Sequence, residues 1–178
     1  DDITTFSLMS LWETTCQTDL TALGDSHVLE CDAFEITNDG TLIDGWTTGA
    51  SNTLTIRAAA GHEHGGVPGA GFILGSTVAY IEAIDLRITY VTIKDIELKR
   101  TGTGDVFSQI GGLGSFQTIV DSVIGSGGTA FDGVFRGKRT VFRNCLAIGG
   151  GGTGFLTKDA YYGNLFQNCT AVNCLNGF

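Results

Sequence analysis

Acidic residues that lie close to basic residues in two segments could support acid–base chemistry. Asp132 precedes the basic segment 136–139, and Asp159 directly follows Lys158. A carboxylate beside a cationic base would suit a Ca²⁺-dependent polysaccharide lyase, while two carboxylates about 5 to 9.5 Å apart would suit a glycosidase. The repeat described below places no second acid on a neighbouring coil, and mixed charges in connecting loops are commonly solvated. Asp132 and Asp159 are therefore the catalytic candidates, and a protein without catalysis is the favoured interpretation.

The tripeptide His62-Glu63-His64 places two imidazoles where both could bind one metal ion. A zinc site needs at least one further ligand and hydrogen bonds that orient its ligands. No third ligand follows at a metal-site spacing, and the surrounding glycines predict a flexible loop over residues 60–71. We therefore expect His62 and His64 to lie on a surface loop, and the sequence predicts no metal and no cofactor.

The five cysteines are an odd number, so at least one thiol has no disulfide partner. Cys16 and Cys31 could form a disulfide if their Cα atoms lie within about 7 Å. Cys145 and Cys169 occupy the same position of a repeat, which predicts stacking about 4.8 Å apart in adjacent coils. We interpret both as buried free thiols that act as small hydrophobic side chains. Cys174 is left over, and neither a Cys-x-x-Cys pair nor a zinc spacing occurs.

A candidate binding surface is formed by Tyr161 and Tyr162, which follow Lys158 in the same segment. Tyrosine rings stack on sugar rings and are common in protein interfaces. This surface could therefore contact a saccharide or a neighbouring subunit, although the rings could equally serve to cover the loop.

A repeat predicts the elements that position these residues. Phenylalanine recurs at intervals of 24, 24 and 23 residues, at Phe107, Phe131, Phe155 and Phe178. A second apolar series runs between them: Ile93, Val120, Phe142 and Phe166. A period in the twenties that combines short apolar strands with Gly and Asn turns is typical of a parallel β-helix, here with about 22–27 residues per coil.

Alignment of the repeats also predicts which way each side chain points. The inward positions after the turn are Ile96, Val123, Cys145 and Cys169. The turn positions carry residues that tolerate left-handed backbone, namely Asp95, Ser122, Asn144 and Asn168. The outward positions are Lys94, Asp121, Arg143 and Gln167, which predict an alternating charge ladder worth at most about 1 kcal/mol per exposed pair.

The start of the chain lacks the repeat. Residues 1–50 are predicted to form a capping helix and entry strands, and residues 51–178 to form the coils of the same structural domain. The helix is expected over residues 4–16, with Thr4 or Thr5 as its N-cap and Trp12 on its apolar side. Such a helix would cover the apolar end of the first coil.

Composition excludes several classes of function. A formal charge of −9 and an isoelectric point near 4.5 argue against nucleic acid as a partner, because phosphate binding requires a basic surface. No apolar run is long enough to cross a membrane, so no membrane insertion is predicted. Phe178 ends the sequence in phase with the repeat, so we expect that the chain continues or that another subunit stacks there.

Two coils carry a family resemblance. Phe142–Ile148 (FRNCLAI) and Phe166–Val172 (FQNCTAV) resemble the right-handed parallel β-helix superfamily that includes pectate lyases, polygalacturonases and phage tailspikes. This resemblance covers roughly residues 50–178 and implies a fold rather than an activity, because the superfamily's carboxylate clusters find no match here. Three segments are more similar to the entry of β-helical virion proteins of tailed phages: Thr5–Glu13 (TFSLMSLWE), Leu54–His62 (LTIRAAAGH) and Tyr90–Ile96 (YVTIKDI).

The resemblance implies an all-β, right-handed parallel β-helix that serves as a non-enzymatic structural virion protein. It would be a capsid decoration, fibre or spike module that displays loops such as 60–71 and 156–163 from a rigid shaft. The expected partners are other virion subunits in a homo-oligomer, a trimer among the options, and a host-surface polysaccharide. The expected location is virion or extracellular. Two alternatives stay open: a carbohydrate-active β-helix enzyme and a bacterial surface adhesin.

Overall fold

The computed structural model describes residues 5–78, 81–110, 117–127, 133–149, 151–157 and 163–178. Within these ranges two short helices and seventeen strands follow one another. In chain order they are α1 (Met9–Cys16), α2 (Leu20–Leu23), β1 (His27–Cys31), β2 (Glu35–Ile36), β3 (Thr41–Ile43), β4 (Leu54–Ala58), β5 (Ile73–Ser76), β6 (Ile84–Leu86), β7 (Val91–Lys94), β8 (Glu97–Arg100), β9 (Phe107–Gln109), β10 (Thr118–Asp121), β11 (Ile124–Gly127), β12 (Gly133–Gly137), β13 (Thr140–Arg143), β14 (Leu146–Gly149), β15 (Thr153–Thr157), β16 (Leu165–Gln167) and β17 (Thr170–Val172).

The strands form three parallel sheets, and each sheet takes every third strand. Sheet 1 has the order β1-β4-β7-β10-β13-β16, sheet 2 the order β2-β5-β8-β11-β14-β17, and sheet 3 the order β3-β6-β9-β12-β15. Each coil of the chain therefore adds one strand to each sheet. The fold is an all-β parallel solenoid of about five turns, which confirms the predicted class.

Coil length varies more than the sequence predicted. Sheet 1 pairs His27 with Leu54, Leu54 with Val91, Thr92 with Ile119, Ile119 with Val141 and Val141 with Leu165, so successive coils are 27, 37, 27, 22 and 24 residues long. The 37-residue coil lies outside the expected 22–27 because it contains the glycine-rich loop 60–71. The other coils match the prediction.

The inward series of sheet 1 is confirmed. Ile93, Val120, Phe142 and Phe166 are neighbours on consecutive strands. The four predicted turn residues all have positive φ angles, namely Asp95 (59°), Ser122 (54°), Asn144 (51°) and Asn168 (51°). Asp and Asn adopt this backbone more readily than most residues because their short side chains can hydrogen-bond locally.

One member of the predicted phenylalanine column is wrong. Phe135, not Phe131, pairs with both Phe107 and Phe155, and Phe131 itself lies outside the described residues. The interval is therefore 28 residues and then 20, and the even spacing in the sequence concealed one long and one short connection. At the end of the column Phe178 stacks on Phe155, with ring centroids 5.1 Å apart and planes 12° apart.

The outward residues align as predicted, but their partners differ. Lys94, Asp121 and Arg143 are in register on three neighbouring strands. Lys94 nevertheless pairs with Asp95 at 3.2 Å, and Arg143 Nε donates to Gln167 Oε1 at 2.9 Å. Alignment in a parallel sheet determines which Cα atoms are neighbours, while long side chains still select among several partners.

Helix α1 begins later than predicted and has a different cap. It starts at Met9, and its N-cap Leu8 offers no side-chain hydrogen bond. The buried carboxylate of Asp39 instead accepts the backbone N–H groups of Met9 (2.6 Å) and Ser10 (3.2 Å). Thr5 therefore does not cap this helix, and Thr4 lies outside the described residues. A residue 30 positions along the chain supplies the acceptor that a local cap normally provides.

Aromatic packing joins α1 to the first coil. Trp12 lies 5.4 Å from Trp46 and 5.9 Å from His27, measured between ring centroids. Trp12 Nε1 donates a hydrogen bond to His27 Nε2 at 3.2 Å, so this histidine nitrogen carries no proton. Burial lowers the pKa of His27, which favours the same neutral form. The helix thus covers one end of the apolar core.

All five cysteines are free thiols. The disulfide considered for Cys16 and Cys31 is not formed: Cys16 is half-buried and Cys31 is buried. Cys145 is buried as predicted, while Cys169 and Cys174 are half-buried. The reactivity of each thiol therefore depends on its exposure to solvent and on the neighbouring groups that set its pKa.

Candidate functional site

Most of the site residues predicted from the sequence cannot be placed. The catalytic candidates Asp132 and Asp159 lie outside the described residues, and so do Lys158, Tyr161 and Tyr162 of the candidate binding surface. Their roles stay predictions. The metal candidates His62 and His64 are described, and their surroundings explain what each one does.

His64 is an internal connector rather than a free ligand. The residue is buried, and its Nδ1 accepts the Gly66 N–H at 2.8 Å. Because Nδ1 accepts, Nε2 carries the proton and donates it to the carbonyl oxygen of Ser122 at 2.6 Å. Both nitrogens are therefore occupied by protein groups, and the neutral form of the imidazole is the one that fits.

His62 has a different environment although it is only two residues away. Its side chain is 42 % exposed, and its Nδ1 lies 3.0 Å from Asp32 Oδ1 and 3.2 Å from the Ala33 nitrogen. Neutral His62 accepts the Ala33 N–H, whereas protonated His62 donates to the carboxylate. His62 and His64 thus contact different coils, His62 the first and His64 the fourth, and do not converge on a common ion.

The segment 60–71, which we call the strap, runs along the corner between sheets 1 and 2. In addition to the histidine contacts, the Gly69 N–H donates to Glu97 Oε2 at 2.6 Å. The strap belongs to the second coil, and these bonds reach the first, third and fourth coils. A loop expected to stand away from the shaft therefore lies on it, with Val67 as an exposed tip (59 %).

The strap accounts for the burial of outward-facing residues on sheet 2. Ile73, Glu97 and Ile124 are in register on one column, and all three are buried. The Gly69 bond places the strap over this column and satisfies one oxygen of the Glu97 carboxylate. Gly71 permits the close approach, because a Cβ atom there would lie 2.6 Å from the His62 carbonyl oxygen at a φ of +72°.

A cluster of charged side chains that the sequence analysis did not single out lies at sheet 3. Asp105 is buried, and its carboxylate accepts the Gly133 N–H at 2.7 Å and pairs with Arg136 Nη1 at 3.1 Å. Arg100 Nη1 donates to the Asp105 carbonyl oxygen at 2.9 Å. Charge order along the chain does not predict this cluster, because its members come from three coils.

Glu82 joins the same cluster. Burial raises the pKa of Glu82, and the nearby Asp85 and Asp105 raise it further, while Arg100 opposes the shift. Asp85 pairs through Oδ2 with Arg87 at 3.0 Å, and its buried Oδ1 has no hydrogen-bond partner. The cluster therefore places a carboxyl whose pKa is raised near two carboxylates that pair with arginines, an arrangement that acid–base chemistry can use.

An apolar cleft of about 230 Å³ lies at the N-terminal end of the solenoid. Its walls include Phe6, Trp12, Phe34 and Phe72, with the Cys31 thiol among them. Burial raises the pKa of Cys31 to about 12, with smaller contributions from neighbouring acids. This thiol therefore stays protonated at neutral pH and is a poor nucleophile.

The described residues contain no group of three or more His, Cys, Asp or Glu side chains arranged to hold a metal ion. Neither described helix has the length and the apolar character needed to cross a membrane.

Comparison of the chain with protein-family models, with curated proteins and with solved structures found no match in any of the three.

Proposed function

We propose that this chain is a non-enzymatic structural virion protein of a tailed phage, a capsid decoration, fibre or spike module built on a rigid β-helical shaft. The main support is a single feature: outward polar side chains are engaged with their neighbours along the stack. Such contacts resist bending and sliding of one coil on the next. A shaft of this kind suits a mechanical role better than a role that needs free polar groups.

The ladders along sheet 1 illustrate this feature. Arg57 pairs with Glu30 of the preceding strand at 2.7 Å. At the corner that follows, Asn168 Nδ2 donates to Asn144 Oδ1, and Asn144 Nδ2 donates to Asp121 Oδ1, each at 2.9 Å. Each exposed contact is worth less than about 1 kcal/mol, but together they specify the register of the stack.

The proposal also covers the binding partners of the chain and its location. The chain would assemble with other virion subunits as a homo-oligomer, for which a trimer is one arrangement, and would be located in the virion or outside the cell. A host-surface polysaccharide is the proposed external partner. The finer resemblance to β-helical virion proteins supports these assignments, and the strong negative charge suits a surface that meets solvent.

The direct test is co-purification with particles. Tailed particles from a culture that carries the gene are banded on a density gradient, analysed by mass spectrometry and labelled with gold-conjugated antibodies against this chain. We expect the chain in the particle band and regular labelling at one location. A chain found only in the soluble fraction would refute the proposal, and labelling confined to the bacterial envelope would indicate the adhesin instead.

The sheet 3 cluster favours one alternative, a carbohydrate-active β-helix enzyme in which Glu82, whose pKa burial raises, would act as the acid. Incubation with acidic polysaccharides, followed by absorbance of unsaturated products and by reducing-end formation, tests it. Turnover that is lost in Glu82→Gln, Asp132→Ala or Asp159→Ala, but kept in the exposed control Glu63→Gln, would establish the enzyme. Absence of turnover in the wild type would leave the structural proposal as it stands.

A further inference from the structure

Three cysteines follow asparagines that have left-handed backbone. Asn144, Asn168 and Asn173 have φ angles of 51°, 51° and 55°, and Cys145, Cys169 and Cys174 come next in the chain. In each case the Sγ atom contacts the carbonyl of the residue two positions earlier and a carbonyl of the preceding coil. A left-handed asparagine therefore orients the following thiol in the same way at two corners: after sheet 1 for Cys145 and Cys169, and after sheet 2 for Cys174.

Two of these thiols lie on adjacent coils at equivalent positions. Arg143 pairs with Gln167 before them and Leu146 pairs with Thr170 after them, so Cys145 and Cys169 are direct neighbours. Adjacent strands lie about 4.8 Å apart. This separation falls in the range of about 4.4 to 6.8 Å that Cα atoms of a disulfide span.

The surroundings make the two thiols unequal. The neighbouring Cys145 thiol lowers the pKa of Cys169, against the effect of burial. Burial raises the pKa of Cys145, which is only 1 % exposed. Cys169 is half-buried and so can be reached from solvent. Cys169 can thus attack a reagent, and its buried neighbour Cys145 lies in register on the adjacent coil, within reach of the mixed disulfide that forms.

We propose that Cys145 and Cys169 form an oxidisable dithiol, a modification site at which a small-molecule disulfide reacts to join two coils of the solenoid. This inference is independent of the proposed virion function. It differs from the interpretation of the two stacked residues as inert apolar side chains.

The chemistry balances in two exchange steps. The Cys169 thiolate attacks one sulfur of the reagent disulfide, which forms a mixed disulfide and releases one equivalent of reagent thiolate, which takes up a proton. The Cys145 sulfur then attacks the Cys169 sulfur and releases the second equivalent of reagent as a thiolate, which takes up the proton that Cys145 gives up. The protein dithiol is oxidised by two electrons and the reagent disulfide is reduced by two. The product links residues 24 positions apart.

The test uses oxidised glutathione and the intact chain. Native protein is incubated at pH 7.5, the remaining thiols are blocked, and the products are analysed by intact mass and peptide mapping. We expect three blocked thiols instead of five, a Cys145–Cys169 crosslink, and a mass about 2 Da below that of the chain with three blocking groups and two free thiols, because the two thiols give up their hydrogens. The crosslinked protein should unfold at a temperature roughly 5 to 10 °C higher, because the bond restricts the unfolded chain.

Variants separate this site from adventitious oxidation. Cys145→Ala should stop at the mixed disulfide on Cys169, and Cys169→Ala should leave Cys145 unmodified in the native state. Cys16→Ala is the matched control, since Cys16 is also half-buried but burial raises its pKa. It should form the crosslink as the wild type does.

A second readout concerns protonation. The rate of Cys169 alkylation by iodoacetamide should rise with pH, and its midpoint should lie at lower pH in the wild type than in Cys145→Ala, because the Cys145 thiol lowers the pKa of Cys169. The proposal is overturned if Cys169 joins Cys174 instead, if no crosslink forms while Cys16 reacts, or if the alkylation midpoint is the same in both proteins.

Discussion

If each coil is numbered from its sheet 1 strand, the first coil begins at β1 and the sixth, incomplete coil at β16. Coils one to four are joined by different kinds of contact from coils four to six. Along the first coils, α1 and the strap bring side chains from distant positions onto the shaft, as when Asp39 caps Met9 and His64 bonds to Ser122. Along the last coils, each residue contacts its equivalent one coil away, as in the stack of Phe142 on Phe166. Regular stacking needs only a repeated sequence, whereas the first coils need particular residues at particular places.

The largest expected effect comes from interrupting the regular stack. Phe135→Ala removes a ring that is fully buried and lies 5.2 Å from Phe155 and 5.6 Å from Phe142. The lost apolar burial and the cavity that remains should lower the free energy of unfolding by about 3–5 kcal/mol. Urea titration measures the change. Leu23→Ala, at a side chain that is 66 % exposed, is the control and should cost less than about 0.5 kcal/mol.

Substitution of the two strap histidines should lower the free energy of unfolding by unequal amounts, more at His64 than at His62. His64→Ala leaves the Ser122 carbonyl and the Gly66 N–H without their partner, and we expect a loss of about 1–3 kcal/mol. His62→Ala removes a largely exposed contact and should cost less than about 1 kcal/mol. Hydrogen exchange of strap and sheet 2 amides would locate the effect. Equal losses in the two variants would contradict the distinction drawn between these residues.

Removal of the Asp39 carboxylate that caps α1 should lower the free energy of unfolding by an intermediate amount. Asp39→Ala removes the acceptor for the Met9 and Ser10 N–H groups, and loss of a helix cap typically costs about 1–2 kcal/mol. Asp39→Asn keeps a side-chain oxygen and should retain most of the stability. Thermal unfolding monitored by tryptophan fluorescence suits this test, because Trp12 lies in the same helix. If alanine and asparagine are equally destabilising, the carboxylate has a role other than capping.

The smallest effect is expected at the exposed ladder of sheet 1. Arg57→Ala breaks the pair with Glu30, in which both side chains are about half exposed, and should cost about 0.2–1 kcal/mol. The difference from the wild type should shrink in 1 M salt, because dissolved ions screen exposed charges. Arg57→Lys, which keeps the charge, is the control. A cost that persists in high salt would mean that the arginine acts through packing.

The repeat predicted the part of the fold in which neighbours in space are equivalents in sequence. The period of the apolar residues predicted the solenoid, the column from Ile93 to Phe166 and the turn positions such as Asn144. The same reasoning placed Phe131 in the core, because it read even spacing in the chain as even spacing in the structure. Connections between sheets can lengthen in one coil and shorten in the next, so Phe135 occupies that position.

The candidate sites were less predictable than the fold. The His62-Glu63-His64 motif shows two imidazoles close in the chain, but the backbone between them turns them toward Asp32 and Ser122. The cluster around Asp105 draws on residues from several coils, so nothing in the spacing of Glu82 or Arg136 indicates it. Asp132, Asp159, Tyr161 and Tyr162 stay predictions, since they lie outside the described residues.

The amino-acid pattern is enough to predict a stack of parallel coils, because periodic apolar and turn residues can bury a core in few other ways. Three contacts are visible only in the folded chain: the strap lies on sheet 2, Asp39 caps a helix 30 residues away, and the Cys145 thiol lowers the pKa of Cys169. These contacts depend on distances between side chains that carry no common spacing in the chain. The physical reason is that a repeat encodes neighbours of the same kind, whereas a cap, a strap or a reactive pair depends on where unlike groups meet.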